Sequence, residues 1–256
     1  MEMQLDGAGV VVTGGGNGIG AALVRELAGR GARVVVNDLD GDAARRVAEE
    51  VGGTAVPGDA ASEQGVEGLI GRAREVLGEI DLYCANAGIA PLGGPEASEA
   101  EWERAWQVNV MSHVRAARLL VQPWLERGRG HFLSTVSAAG MLMSLGAAPY
   151  SVSKHAAFSF AEWLSATYGH RGVTVQCLCP QGVRTDMIEN TGRMGELLLK
   201  PNALEAEEVA RITADALVDG GFLILPHGDV AKYYAHRGAD TDHWLAGMRE
   251  LQKKLD

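Results

Sequence analysis

The sequence predicts an α/β fold: a doubly wound, parallel, seven-stranded sheet with helices on both faces, three layers thick. Three observations carry this expectation. Short β-branched runs alternate with longer amphipathic runs along the chain, and parallel strands can only be joined by crossover segments, usually helices. A cluster of glycines (Gly14, Gly15, Gly16, Gly18, Gly20) separates the first β run from the first helical run. The second β run ends on a carboxylate, Asp38. A length of 256 residues with 46% hydrophobic content suits one such domain over 1–256, and no repeat, low-complexity run or linker marks a second.

Taken in order, Val10-Val11-Val12 reads as a buried parallel strand, and Ala21, Ala22, Leu23 and Leu27 as the apolar stripe of the first helix. Arg33 to Asn37 is the second strand. A helix over about 41–51 and a short strand at 54–57 follow. Ser62 is placed to cap a helix running to about Leu77, and residues 81–85 make strand four. Residues 98–127 read as one long helical stretch with an acidic first turn (Glu99, Glu101). Strand five is expected at 131–135, a helix over 148–169, strand six at 173–179 and strand seven at 221–225. An amphipathic helix near 240–254 closes the chain.

The order strand, glycine turn, helix aims backbone N–H groups and a positive helix end at a phosphate. Asp38, at the tip of the second strand, stands where a carboxylate reaches an adenosine ribose, the arrangement of a Rossmann-type dinucleotide site. It can accept from both ribose hydroxyls and would repel a 2′-phosphate. No Lys or Arg lies within 13–20 and Leu39 follows Asp38, so NAD is the expected cofactor. Further along, Tyr150 and Lys154 lie at i and i+4 and share a helix face. A free tyrosine titrates near pH 10, and a neighbouring ammonium together with a positive nicotinamide ring is expected to bring it down into the range of a useful base. Ser137 leaves strand five thirteen positions earlier, where its hydroxyl can hold the substrate oxygen.

Thr13-Gly14-x-x-x-Gly18-Ile19-Gly20 with Tyr150-x-x-x-Lys154 resembles the short-chain dehydrogenase/reductases of about this length, over most of the chain. That resemblance implies a cofactor site made by Gly14, Gly16, Asn17, Gly18, Ile19, Gly20, Asp38 and Leu39. It implies an adenine contact at Asp59 and Ala60, and a ribose turn at Asn86, Ala87 and Gly88. Tyr150 and Lys154 would also touch the cofactor, and Pro180, Val183 and Thr185 would hold the nicotinamide end. The catalytic set implied is Asn109, Ser137, Tyr150 and Lys154, with Asn109 holding a relay water. Gln181 stands where the family usually has glycine, which bears on the path of that loop. The activity implied is hydride transfer between a secondary alcohol or ketone and nicotinamide. The alternatives are a non-catalytic NAD-binding regulator, which would not need the catalytic set, and an NADPH-linked ketoreductase, which Asp38 disfavours.

Met141, Leu142, Met143 and Leu145 follow Ser137, and Met187, Ile188, Met194 and Leu197 to Leu199 fall in a segment (186–202) where the family carries a substrate lid. An apolar, adaptable pocket for a small-molecule alcohol or ketone follows; core packing or a subunit interface is the competing use. A net charge of −10 and a pI near 5.2 argue against nucleic-acid or anionic-membrane partners. Cys177 and Cys179 are expected on one strand face as core, and no disulfide framework or metal site is expected from three cysteines and scattered histidines. The N-terminus shows no leader pattern and no run reaches transmembrane length, so a cytoplasmic protein is expected. Trp102, Trp106, Phe158, Phe160 and Trp163 are read first as core packing; the resemblance implies that their two helices also pair between subunits, giving a homodimer or homotetramer with some of these aromatics buried between chains. The C-terminal helix could cap the pocket, block a tetramer contact or build another.

Overall fold

The structure, a computed structural model, describes residues 3–189 and 191–255. The first two residues of the N-terminus read above, position 190 of the expected lid, and position 256 lie outside the described residues. In chain order the elements are β1 (Gly9–Thr13), α1 (Gly18–Gly29), β2 (Arg33–Asn37), α2 (Gly41–Val51), β3 (Thr54–Ala55), α3 (Glu63–Leu77), β4 (Leu82–Ala85), α4 (Glu99–Trp106), α5 (Ser112–Arg127), β5 (Gly130–Thr135), α6 (Ala148–Tyr168), β6 (Val173–Leu178), β7 (Val183–Arg184), α7 (Asp186–Glu189), α8 (Gly192–Met194), β8 (Leu204–Glu205), α9 (Ala206–Asp219), β9 (Leu223–Ile224), α10 (Asp229–Ala239) and α11 (Thr241–Leu255).

Strand alternation builds the layers. Val11 and Val35 face one side of the sheet and pack with Tyr83, Phe132, Trp124 and the buried faces of α3, α5 and α6. Their neighbours Val10, Val12, Val34 and Val36 face the other side and meet Leu23, Leu27 and Leu217 from α1 and α9. Period-two burial on both faces is what a doubly covered parallel sheet requires. The sheet has seven strands in the order β3-β2-β1-β4-β5-β6-β9, each pair parallel, a Rossmann-type arrangement. Strand order reverses between β1 and β4, and there the carboxyl ends open a cleft.

Local expectations meet the structure unevenly. Ser62 accepts from the Gly65 N–H, and Ser98 with Glu101 forms a reciprocal capping box. Cys177 and Cys179 do share one core. The 98–127 stretch, however, is interrupted: a π-helical turn at Gln107–Met111 separates α4 from α5. β3 keeps two residues of the expected four, since Pro57 brings no N–H to extend the ladder. Strand seven is likewise confined to Leu223–Ile224. The 186–202 segment is mostly short helical turns, and its base is a two-stranded pairing of β7 with β8, Val183 against Leu204. Before the expected C-terminal helix stands another, α10.

Candidate active site

The glycine turn is shaped by contacts that leave no room for side chains. A Cβ on Gly20 would lie 1.9 Å from the Gly14 carbonyl oxygen, and one on Gly16 would lie 2.8 Å from Ala43 Cβ. Gly14 and Gly18 both hold positive φ, which glycine adopts without strain. Asp38 Oδ2 accepts the Gly16 N–H at 2.9 Å and Oδ1 accepts that of Asp40 at 3.0 Å, so the carboxylate is locked beside the turn. Thr13 fastens the next strand: its hydroxyl donates to the Cys84 carbonyl and accepts the N–H groups of Asn86 and Ala87 at 3.0 and 3.1 Å. Asn86 Nδ2 donates back to the Thr13 carbonyl at 3.0 Å.

One cavity of about 1710 Å³ runs along the carboxyl ends of the strands. Gly14, Asn17, Gly18, Ile19, Gly20, Asp38, Leu39, Asp59, Ala60, Asn86, Ala87, Gly88, Ser137, Tyr150, Lys154, Pro180, Val183 and Thr185 all line it. Gly16 stands behind Asp38, and Asn109 is fully buried behind the wall. Asp59 also holds its own turn, accepting from the Ala61 N–H at 2.8 Å. The loop bearing Gln181 is pinned by the Gln181 N–H donating to His227 Nδ1 at 3.1 Å. Gly182 packs so closely that a Cβ would lie 2.2 Å from the Leu199 carbonyl oxygen. Gln181 is therefore accommodated, and Gly182 carries the tight approach. Thr185 sits opposite the glycine turn, its Cγ2 3.0 Å from where a Gly18 Cβ would be.

At the other end of the cavity Lys154 is buried and donates to the Thr135 carbonyl at 2.9 Å. Desolvation brings its pKa down to about 8. Its Nζ lies 5.8 Å from the centre of the Tyr150 ring. Tyr150 shares a hydrogen bond with Ser137, which favours the phenolate, yet burial outweighs it and holds the phenol above its ordinary value. The lowering expected from the sequence is thus not supplied by the chain alone, because desolvation of the phenol itself is the largest effect. Ser137 has φ 104°, and its Oγ accepts the Ala139 N–H at 3.1 Å and donates to the Pro180 carbonyl at 3.4 Å. The Asn109 side chain is engaged on every side: it accepts the Ile89 N–H (3.0 Å) and donates to the Ile89 carbonyl and Ser153 Oγ (both 2.9 Å). Gly88 permits this crowding, since a Cβ there would lie 3.2 Å from Lys154 Nζ and 3.3 Å from Asn109 Oδ1.

Sequence reasoning missed several neighbours. Arg46, on α2, donates to the Gly16 carbonyl at 3.4 Å, so a cation does stand beside the glycine turn, contrary to the expectation drawn from 13–20 and Leu39. Eight positions separate it from Asp38, and only the return of α2 brings it back. His113 lies one turn beyond Asn109, buried beside Lys154 with Nδ1 3.0 Å from Ser134 Oγ. Thr135, whose carbonyl accepts from Lys154, carries no motif beyond its strand-end position. Among the described residues no three His, Cys, Asp or Glu side chains gather as metal ligands, and no helix is long and apolar enough to cross a membrane.

A family model described as short chain dehydrogenase matches residues 8–195. The chain is 37% identical over 240 residues to a 1-deoxy-11-beta-hydroxypentalenate dehydrogenase of Streptomyces exfoliatus, covering 89% of this chain and 86% of that protein. Among solved structures it superposes on a short chain dehydrogenase/reductase of Burkholderia phymatum in complex with NAD, with a TM-score of 0.86 and 27% identity over 94% of this chain and 96% of the other. It also superposes on a 7 alpha-hydroxysteroid dehydrogenase complexed with NADH and 7-oxo glycochenodeoxycholic acid, with a TM-score of 0.80 and 26% identity over 87% and 93%.

Proposed function

The chain belongs to the short-chain dehydrogenase family, an oxidoreductase of alcohol and ketone groups, and from that premise we propose that it is NAD-dependent and acts on an apolar secondary alcohol or its ketone. The observation that carries this reading is the convergence on one cavity of Asp38 beside the glycine turn and of Ser137, Tyr150 and Lys154 at the far end. The crowded turn and the anchored carboxylate fit a dinucleotide, whose nicotinamide, when bound, supplies the hydride acceptor. Ser137 Oγ hydrogen-bonds the carbinol oxygen and fixes its approach. Tyr150 Oη takes the carbinol proton, or returns it in the opposite direction. Lys154, an ammonium below about pH 8, holds positive charge beneath the phenol and favours its ionised form. Asn109 ties the strand-four exit to α6 through Ile89 and Ser153, which positions Lys154.

The relatives' names support a ring-bearing substrate: a hydroxypentalenate and a hydroxysteroid are both alicyclic alcohols. The complete catalytic set favours an enzyme over a cofactor-binding regulator, and Asp38 favours NAD over NADPH. Trp106, Val152 and Trp163 are exposed apolar side chains on α4 and α6, which supports association of copies, as a dimer or tetramer, through those helices. The test is turnover of apolar secondary alcohols with NAD, followed by absorbance of the reduced cofactor, in wild type and Tyr150→Phe. Loss of turnover with NAD affinity nearly intact is expected, since proton transfer needs the hydroxyl and nucleotide binding does not. Substantial residual turnover in folded Tyr150→Phe protein would overturn the assignment.

A further inference from the structure

The wall of the cavity that none of the motifs accounts for is made by the C-terminal hairpin of α10 and α11. Trp244, Met248 and Leu251 from α11 line the same cavity as Ser137 and Tyr150, and so does Tyr233 from α10. The spacing 244, 248, 251 is one face of a helix, and although α11 has no fully buried residue its apolar stripe lines the cavity, with Trp244 also packed against the edge of the core.

The hairpin is fastened to the machinery at both ends. Arg237 donates to the Met141 carbonyl, in the loop after Ser137, and lies 3.1 Å from Nε2 of His155, the residue after Lys154. At the other end, Arg193 of the 186–202 segment donates to the Leu255 carbonyl at 3.3 Å. Between these points Trp244 packs against Tyr233 and His236, with ring centres 6.3 and 6.2 Å apart, and Tyr234 meets Phe158 of α6 edge-on. Ile188, Met194 and Leu198 of the 186–202 segment line the same cavity. Three segments far apart in sequence thus enclose one apolar chamber over the catalytic tyrosine.

We propose that Trp244, Met248 and Leu251 are the specificity-determining wall of the alcohol site, selecting a bulky, ring-bearing apolar secondary alcohol over a small one, with Arg237 as the positioning residue that seats the wall. This rests on the reading of the cavity as an alcohol dehydrogenase site. A small alcohol reaches Ser137 and Tyr150 without touching α11, whereas a fused-ring alcohol held there fills the chamber up to the stripe.

The experiment uses the full-length protein, with 2-decalol as the bulky probe and cyclopentanol as the small one. In Met248→Ala/Leu251→Ala the specificity ratio (2-decalol over cyclopentanol) should fall at least about tenfold, through KM for 2-decalol more than through kcat, because the variant forfeits binding common to ground and transition states. Met248→Leu should restore part of it. Arg237→Ala should lower the same ratio while Arg237→Lys recovers some of it. Hydrogen–deuterium exchange supplies a readout independent of turnover: 2-decalol with NADH should slow amide exchange across 241–255. An unchanged ratio in the double variant, or unchanged exchange in that segment, would overturn the proposal. If instead neither alcohol is turned over but exchange still slows, the hairpin is a ligand wall and the dehydrogenase reading is what fails.

Discussion

Ser137 occupies φ 104°, ψ 151°, a region that only glycine populates freely and that costs a side-chain-bearing residue on the order of 1–3 kcal/mol. The conformation is held by the Ala139 N–H and by the buried loops around Pro180. Both Ser137→Ala and Ser137→Gly should lose most turnover, because both remove the hydroxyl. Only glycine releases the strain, so Ser137→Gly should be more stable than Ser137→Ala by about 1 kcal/mol or more in urea unfolding; equal midpoints would refute the strain. Asp38 makes the second prediction at this scale. Its carboxylate would oppose a 2′-phosphate, so NAD should exceed NADP in kcat/KM by about a hundredfold or more. Asp38→Ala should narrow that gap, with Arg46 the side chain left to meet the phosphate; equal efficiencies in the wild type would sink the assignment. Residues separated by one helical turn, such as Tyr150 and Lys154, are legible in a sequence because the helix fixes their geometry. Arg46 and His113 are not legible, because a fold must first return them to the site.

The 186–202 segment illustrates what can be read of an element. Its apolar composition foretells a wall over the cavity, and Met187, Ile188, Met194, Leu198 and Leu199 do line it. Its helical turns and the β7–β8 pairing at its base were not legible, since two-residue strands carry no periodicity. Lys200 clasps Glu189 and Glu196 at 2.5 and 2.7 Å, surface pairs that contribute little alone. We take the segment as a lid. Leu198→Ser should raise KM for apolar alcohols more than it lowers kcat, by about fourfold for each methylene that the substrate no longer buries. Amide exchange over 191–202 should slow when alcohol and cofactor bind; exchange as slow as in β6 without them would speak against a lid. α10 went unread for a related reason: Val230 is its only buried residue among those described, so its apolar signal is faint.

For the molecule as a whole, the two apolar layers enclose histidines that fold uncharged. Burial brings His113 down to about 3 and His131 to about 4. Between those values and the unfolded value near 6.5 the unfolded chain binds more protons, so stability is full above about pH 6.5 and is lost as pH falls toward 4. Each histidine contributes up to about 1.4 kcal/mol per pH unit in that window. Urea midpoints should drop from pH 7.5 to pH 5, and less steeply in His113→Leu; parallel slopes in the two proteins would contradict this origin. The layered sheet was legible from the alternation of strand and helix; the buried histidines' neutrality was not, since burial belongs to the assembled layers. The π-helical turn at Gln107–Met111 has a consequence of its own at this scale. It holds an additional residue within a turn, so α4 and α5 run on in rotational phases that a continuous α-helix of the same length would not allow. Deleting one residue between 107 and 111 would restore a regular helix and leave α4 and α5 close to their present phases, while the residues of the turn itself, Asn109 among them, would rotate about the helix axis. The shortened protein should keep its helix content by circular dichroism, yet Asn109 would swing away from Ile89 and Ser153. A single-codon deletion would thus erase the site while leaving the architecture standing.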